Sequence, residues 1–534
     1  MVSRRDFIKQ SGAVVLATAT VGSVLPALAQ GSDTISFGIA LRRIDTLSPQ
    51  STSLNGSTNR VVFQIFDTLV KSVDGDAAVT PDQIQPSLAE SWETSEDART
   101  WTFKLRQGVQ FHKNYGEMTA DDVVFTFSRH LDPELVTVDK SSYENIESVT
   151  ATDPHTVVFQ LKQPDPFFTG STLTVLYSAI ISQKAFEEKG ETGFDFDPIG
   201  TGPFQFDAVD EQGTTLIPFP EYFDGAPAAA TLRIIYIADT TARTLAFVSG
   251  EVDMIEGVRA PGWSDGISQR APATVYDRTT PGSLNTLHFN LNRAPLDDLR
   301  IRQAIRYAID NAAVAGAFGT SATPMVGFLP MQFVGSVTKD ELPEELRYDY
   351  NSDKARELLA EAGHPDGVTI SCYTSQREDY SSIMLMIQEQ LRTVGIVLDM
   401  KIVEHATYGA DNREDKNTLA LSSASYGPVP TLPFSRQLRS TSEVKSDGSG
   451  GQNISHYGVA IPGIDDLLDA IEGEADFVKR IAMVKDMEKK VLTDLPVLGI
   501  ITLSQIVARN PGVDLGFELK SGPSYWSLSK ARRV

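Results

Sequence analysis

The sequence contains a single cysteine, Cys372, and only seven histidines among 534 residues. A lone cysteine cannot form an internal disulfide, and it excludes zinc sites built from cysteine pairs, CxxCH haem attachment and iron–sulfur ligation. The chain has no H-E-x-x-H metal motif and no G-x-x-x-x-G-K-[ST] phosphate-binding loop. We therefore expect neither a resident cofactor nor a metal centre.

Basic residues are also scarce. Lysine and arginine total 47 against 70 aspartates and glutamates, which gives a formal net charge of −23 at pH 7. Such a chain lacks the counter-charge for a phosphate backbone, so we do not expect it to bind nucleic acid. Its 41% hydrophobic residues are enough for a large core, divided at this length into about two or three domains. We expect a monomer.

Residues 1–29 have the pattern of an export signal. Residues 3–9 match the S-R-R-x-F-x-K twin-arginine motif, and a mildly apolar run leads to a small-residue cleavage site, Ala-Leu-Ala, at 27–29. No segment reaches the roughly 18 apolar residues of a membrane-spanning helix. No cysteine stands at the cleavage site, which excludes a lipid anchor there. We expect a soluble periplasmic protein that is not inserted in the membrane.

Apolar periodicity indicates mixed secondary structure. Alternation predicts strands at 100–106, 157–161, 368–372 and 396–402. Helical spacing predicts helices that begin after Thr119, span 298–318 and 352–362, and end near Gly395. Because strands and helices alternate in the carboxy-terminal half, the fold class is α/β.

Residues 262–266 match G-x-S-x-G, the nucleophile elbow of α/β-hydrolases, with Ser264 at its centre. That elbow needs a buried strand directly before the serine and a helix directly after it. Arg-Ala-Pro precedes the motif instead. We interpret the segment as a loop, and a serine hydrolase using Ser264 is the alternative function.

A series of spaced motifs runs along the chain: Q-P-S-L-A-E-S-W at 85–92, T-W-T-F-K-L-R-Q-G-V-Q-F-H at 100–112, T-A-D-D-V at 119–123, G-T-G-P-F at 200–204, S-G-E-V-D at 249–253 and R-I-R-Q-A at 300–304. In these motifs the chain resembles the dipeptide/oligopeptide/nickel family of ABC-transporter solute-binding proteins. The resemblance implies a two-lobed periplasmic-binding-protein fold, class II-like, with an additional inserted α/β domain. Such a protein closes on a solute and delivers it to the permease subunits of an ABC transporter.

The family layout also implies domain boundaries. Lobe I would combine residues 33–62, 198–282 and 497–534, the inserted domain would span 63–197, and lobe II would span 283–496. The chain would then cross twice between the lobes.

One segment departs from the family. In peptide-binding relatives, the segment matching 422–434 usually carries an aspartate that pairs with the α-ammonium of the peptide, whereas this chain has no acid there. Tyr426 or Ser425 stands at the anchoring position, and a buried ammonium without a counter-charge is costly. We therefore expect a solute without a free α-ammonium: a modified peptide, an amino-acid conjugate, a sugar or a carboxylate-bearing metal chelate. A nickel-type metal-chelate receptor is a second alternative function.

The predicted ligand-binding residues follow from this comparison. Arg42, Arg43 and Arg436, with Arg439 nearby, would supply positive charge to a carboxylate. The match at 453–457 implies an intact cleft, and for its histidine we favour partners among backbone groups over a metal ion. The full predicted set is Arg42, Arg43, Asn285, Tyr426, Gly427, Arg436, Asn453, His456 and Tyr457.

The export signal gives a direct test. Replacing Arg4 and Arg5 by Lys should abolish periplasmic accumulation, because the twin-arginine route depends on that arginine pair. Cell fractionation followed by immunoblotting measures the result. Unchanged periplasmic levels in the variant would contradict the assignment.

Overall fold

The computed structural model describes residues 33–54, 56–427, 429–521 and 526–534, so the predicted export signal at 1–29 lies outside the described residues. A nine-stranded mixed sheet dominates the architecture. Its strands in spatial order are Phe204–Val209, Gly213–Pro218, Thr231–Tyr236, Thr34–Ile39, Met254–Glu256, Val497–Arg509, Val275–Phe289 and Leu419–Ala424, with Ala322–Pro324 also pairing with Val497–Arg509.

Two long antiparallel strands, Val275–Phe289 and Val497–Arg509, connect the halves of this sheet. The end of the second strand pairs with Met254–Glu256, whereas the end of the first pairs with Leu419–Ala424. The half of the sheet that contains Thr34–Ile39 belongs to the first lobe, and the half that contains Leu419–Ala424 belongs to the second. The fold is therefore two-lobed, with these two crossing strands shared between the lobes.

The pairing of the crossing strands shifts register between Thr279 and Ser283. Gly282 lies at this shift with a φ of +67°, and a Cβ atom there would lie 2.3 Å from the Leu503 carbonyl oxygen. Only glycine fits both the backbone angle and the close approach. The irregularity separates the parts of the strands that serve each lobe.

An extra domain is built on a four-stranded antiparallel sheet, in the order Ala89–Thr94, Thr100–Leu105, Thr156–Leu161 and Ile146–Asp153. The strands predicted at 100–106 and 157–161 are confirmed. The helix Ala120–Leu131 packs on this sheet and begins with a capping box between Thr119 and Asp122, as predicted. Phe103, Phe127 and Phe159 meet edge to face and fill the space between helix and sheet.

The second lobe contains an α/β unit made of Ser352–Glu361, Val368–Ser375, Glu378–Arg392 and Ile396–Val403, in which the two strands are parallel. These elements confirm the predicted alternation. The single helix predicted over 298–318 is wrong. The structure has two helices, Leu299–Ala308 and Asn311–Gly316, because Ile309 adopts an extended conformation and Asp310 caps the second helix.

The prediction of a loop at 262–266 is wrong. A short helix, Trp263–Ser268, begins directly after Gly262. The preceding strand ends at Glu256, so Ser264 does not sit on a strand-to-helix elbow. The other helices are Gly56–Val62, Gln183–Phe196, Thr240–Val248, His405–Arg413, Thr431–Gln437, Tyr457–Ala460, Ile464–Gly473 and Phe477–Asp494. Short strands lie at Val70–Lys71, Gln85–Pro86, Gln110–Phe111, Gly116–Glu117, Val513–Asp514 and Arg532–Arg533. Within the described ranges, no helix combines the length and apolarity that a bilayer crossing needs.

Cys372 lies on the strand Val368–Ser375 and is 2% exposed. Burial raises the pKa of its thiol to about 12, so the reactive thiolate is almost absent at pH 8. We expect iodoacetamide to label the native protein at least about 100-fold more slowly than the urea-unfolded protein. Mass spectrometry over time measures both rates, and comparable rates would contradict the burial of this thiol.

Candidate functional site

A cavity of about 340 Å³ lies between the lobes and the extra domain. The first lobe lines it with Tyr222, Asp224 and Trp526, and the loop after the second lobe's edge strand lines it with residues 425–427. Pro281 and Gly282 of the crossing strand also reach it, as do residues 66–68, 71–78 and 174–177. The cavity thus meets the register shift of the crossing strands. A solute bound in it would contact both lobes.

Asp67 is the most enclosed acidic group of the cavity. Its two carboxyl oxygens accept hydrogen bonds from the Thr201 hydroxyl at 2.9 Å and from the Tyr222 hydroxyl at 3.0 Å. Burial nevertheless raises the pKa of Asp67 to about 6, against the opposing effects of these hydrogen bonds and of Lys71. This carboxyl therefore changes its charge close to neutral pH.

Three further carboxyls, on Asp74, Asp76 and Asp224, line the cavity. Lys71 Nζ lies 2.8 Å from Asp224 Oδ2, and Asp76 accepts a hydrogen bond from the Ser521 hydroxyl. Lys71 is the one basic residue among the described lining residues. Lys530, which is not a lining residue, pairs with Asp74 Oδ2 at 2.6 Å. The excess negative charge of the wall therefore comes from Asp76 and, above its pKa of about 6, from Asp67, and it favours cationic groups.

Asn59 adds a hydrogen-bond acceptor to the same wall. Its side chain is 2% exposed, and its Nδ2 donates to the Tyr177 hydroxyl at 3.3 Å. Its Oδ1 has no hydrogen-bond partner among the described residues. A buried acceptor of this kind is stabilised by a donor from a solute or a water molecule.

Of the predicted site residues, Tyr426 and Gly427 line the cavity, as does Ser425. The Tyr426 hydroxyl accepts a hydrogen bond from Gln437 Nε2 at 2.6 Å and donates to Gln452 Oε1 at 3.4 Å. Burial raises the pKa of this phenol. Because its hydroxyl is occupied by partners of its own lobe, Tyr426 offers the cavity its ring.

Three other predicted residues lie elsewhere. Arg42 and Arg43 are exposed, and Arg43 pairs with Asp45 at 2.9 Å. Asn285 is completely buried in a crossing strand, where its Nδ2 donates to the Ser283 carbonyl at 3.4 Å. None of the three lines the cavity.

The remaining four have partners outside the cavity. Arg436 donates to Asp139 Oδ1 at 2.5 Å, Asn453 donates to two backbone carbonyls, and the Tyr457 hydroxyl donates to Asp494 Oδ2 at 2.5 Å. They support the second lobe and its contacts.

The prediction that His456 forms its hydrogen bonds with backbone groups is wrong. Its Nδ1 lies 2.6 Å from Glu443 Oε1 and its Nε2 lies 3.0 Å from Asp415 Oδ1. The described residues contain no His/Cys/Asp/Glu group arranged to hold a metal ion. The histidine instead links two carboxylates and helps to close the loop that leads to it.

The acidic residues of the cavity wall were not predictable from the sequence. Asp67, Asp74 and Asp76 surround the short strand Val70–Lys71, and Asp224 follows them by some 150 positions, so no local motif joins them. The D-G-D turn at 74–76 is the only signal, and it reads as an ordinary surface turn.

Comparison with known proteins identifies the family. The protein-family model described as "Bacterial extracellular solute-binding proteins, family 5 Middle" matches residues 83–446. The chain belongs to this family. Family 5 comprises solute-binding proteins rather than enzymes, and the placement of Ser264 also opposes the serine-hydrolase alternative.

Individual relatives bind different solutes. Heme-binding protein A of Haemophilus influenzae is 32% identical over 348 residues, which cover 60% of this chain and 59% of that protein. The dipeptide-binding protein of Escherichia coli K12 is 30% identical over 317 residues, 54% of this chain and 57% of that protein. The structure of MoaA from A. tumefaciens R10 in complex with mannopinic acid is 31% identical, with a TM-score of 0.78 over 94% of this chain and 100% of that one.

The raised pKa of Asp67 predicts how stability depends on pH. Its pKa is about 6 in the folded protein and near 3.8 when unfolded, so its stabilising contribution is complete below pH 3.8 and is lost as the pH rises through 6. The free energy of unfolding relative to Asp67→Asn should fall over this range by at most about 3 kcal/mol. Urea unfolding of both proteins at several pH values measures it.

A second variant checks the cause. Tyr222→Phe removes one hydrogen-bond donor to the carboxylate and should move the fall to higher pH. A difference between wild type and Asp67→Asn that does not vary between pH 4 and 7 would refute the assignment.

Proposed function

We propose that this chain is the solute-binding receptor of an ABC importer. It binds a small or peptide-like solute between its lobes, and its closed form docks on the permease subunits. The observation that carries this proposal is the cavity at the register shift of the crossing strands, lined from both lobes and the extra domain. A solute that contacts both lobes stabilises the closed state by the contacts it gains there.

The proposed domain layout follows the same fold. The four-stranded sheet falls within 63–197, and the proposed boundary at 282/283 coincides with the register shift. The proposed return at 496/497 is where the strand Val497–Arg509 begins. Lobe I would then combine 33–62, 198–282 and 497–534, and lobe II would span 283–496.

The proposed location is the periplasm, reached by the twin-arginine route as a folded monomer. The twin-arginine motif at 3–9 and membership of an extracellular solute-binding family support it. The permease is the expected macromolecular partner.

The relatives bind solutes as different as heme, a dipeptide and mannopinic acid, so the proposed solute class rests on the side chains that line the cavity. The four lining carboxyls, on Asp67, Asp74, Asp76 and Asp224, outnumber the two lysines that pair with them, Lys71 and Lys530, and none of the arginines considered above lines the cavity. These carboxyls, which come from other segments of the cavity wall, would take the place of the aspartate that peptide-binding relatives carry in the segment matching 422–434. We propose a compact solute that carries an amine or another cationic group, which reverses the expectation drawn from sequence.

Two measurements test this function. Mass spectrometry of the protein purified from its native periplasm should reveal a small copurifying cationic solute. Unblocked short peptides at 100 times their Kd should raise the free energy of unfolding by about 2.7 kcal/mol, whereas their N-acetylated forms should stabilise the protein less. Anionic solutes that bind equally well would overturn the charge assignment, and the absence of any stabilising solute would overturn the receptor function.

Variants separate cavity charge from general charge. Asp76→Asn should weaken binding of the cationic solute by about threefold to tenfold, because it removes one lining carboxylate. Asp45→Asn is the matched control, since Asp45 is acidic but lies outside the cavity wall and pairs with Arg43. Ser264→Ala should leave binding unchanged. Equal losses in Asp76→Asn and Asp45→Asn would contradict the site.

A further inference from the structure

The extra domain touches the second lobe through side chains that do not line the cavity. Two arginines of the second lobe, Arg436 and Arg480, reach across to the extra domain. Neither is explained by solute binding, although Arg436 was predicted to contact the solute.

Arg436 lies near the end of the helix Thr431–Gln437. Its Nη2 donates to Asp139 Oδ1 at 2.5 Å and to the Ser142 hydroxyl at 3.2 Å. The side chains of Arg436 and Asp139 are 28% and 27% exposed, so the pair is largely shielded from water. Shielding of this kind makes the contact stronger than an exposed surface pair.

Arg480 makes the second contact from the helix Phe477–Asp494. Its Nη2 donates to the Pro164 carbonyl at 2.8 Å, and its Nη1 lies 3.4 Å from Asp165 Oδ1. Its Nε donates to the Glu474 carbonyl of its own lobe at 2.9 Å. The guanidinium is therefore fixed by its own lobe in the orientation that reaches the extra domain.

An apolar contact accompanies these two. The rings of Phe477 and Phe167 meet edge to face with their centroids 5.7 Å apart. Phe477 and Val429 of the second lobe both pack against the core formed by the first lobe and the extra domain. The interface thus combines charge and apolar packing.

We infer that Arg436 and Arg480, with Asp139 and Asp165 opposite them, form an ionic clasp that stabilises the closed arrangement of the lobes. Its residues do not line the cavity, so its contribution is the same whichever solute is bound. A clasp that raises the closed fraction raises the apparent affinity for every solute by the same factor. Arg436 and Arg480 therefore set affinity without touching the solute.

Small-angle X-ray scattering of the solute-free protein tests the clasp directly. The double variant Arg436→Gln/Arg480→Gln should have a larger radius of gyration than the wild type, because the closed fraction falls. Arg439→Gln is the matched control, since Arg439 pairs with Asp469 and Glu472 within the second lobe, and it should match the wild type. Equal radii for the wild type and the double variant would overturn the inference.

Salt provides an independent arm of the same experiment. At 1 M NaCl the screening length falls to about 3 Å, so the radius of the wild type should move towards that of the double variant, which should itself stay constant. A wild-type radius that is unaffected by salt would show that the arginine contacts do not control closure.

Loss of Arg480 also removes hydrogen bonds within its own lobe, so milder variants complete the test. Asp139→Asn should enlarge the radius, and exchanging the pair as Asp139→Arg with Arg436→Asp should restore it. Failure of the exchange to restore the radius, with circular dichroism showing folded protein, would overturn the inference. These measurements need no solute, so their failure leaves the proposed receptor function standing.

Discussion

The pairing of Val275–Phe289 with Val497–Arg509 is the interaction on which the rest of the structure depends. Because hydrogen bonds run along both strands, the lobes share one sheet although each has its own neighbours and its own core. The ladder shifts register between Thr279 and Ser283 and again between Asn285 and Thr286. At the first shift, Gly282 lies so close to the opposite backbone that no side chain is tolerated. The cavity borders this interruption, which couples any movement of the lobes to the volume available to a solute.

The charge of the cavity follows from the same arrangement. The wall opposite residues 425–427 comes from the start of the extra domain and from the loop that holds Asp224, and it supplies the carboxyls. Asp67 is held there by Thr201 and Tyr222, whose hydroxyls orient the carboxyl while burial makes its charge costly. The acidic residues and Tyr426 line the same cavity, so a solute bound there would contact both.

The charged residues that we propose for the clasp are not those that line the cavity. Arg259 provides one more link between the lobes, since its Nη2 lies 2.9 Å from Asp379 Oδ2, which also pairs with Arg377. The clasp residues contact the extra domain, whereas Arg259 lies beside the crossing strand and donates to Ser283.

The sequence by itself determined the family, the α/β class and the elements with strong periodicity, such as Thr100–Leu105 and Ser352–Glu361. Local rules suffice for these, because the capping box at Thr119 and the alternation of Trp101, Phe103 and Leu105 act within a few residues. The division of the predicted helix at Asp310 could not be predicted from periodicity, because the helical spacing of apolar residues continues past this capping residue.

Only the tertiary structure decided which charges line the cavity. Tyr426 and Gly427 were predicted because they lie in one recognisable segment, whereas Asp67 and Asp224 come together only when distant segments fold against each other. Three of the arginines predicted near the solute pair with carboxylates that do not line the cavity: Arg43 with Asp45, Arg436 with Asp139 and Arg439 with Asp469. A guanidinium can pair with any carboxylate or carbonyl that the fold brings close to it. The sequence gives the type of each side chain, but the residue with which a charged side chain pairs depends on distances that exist only in the folded chain.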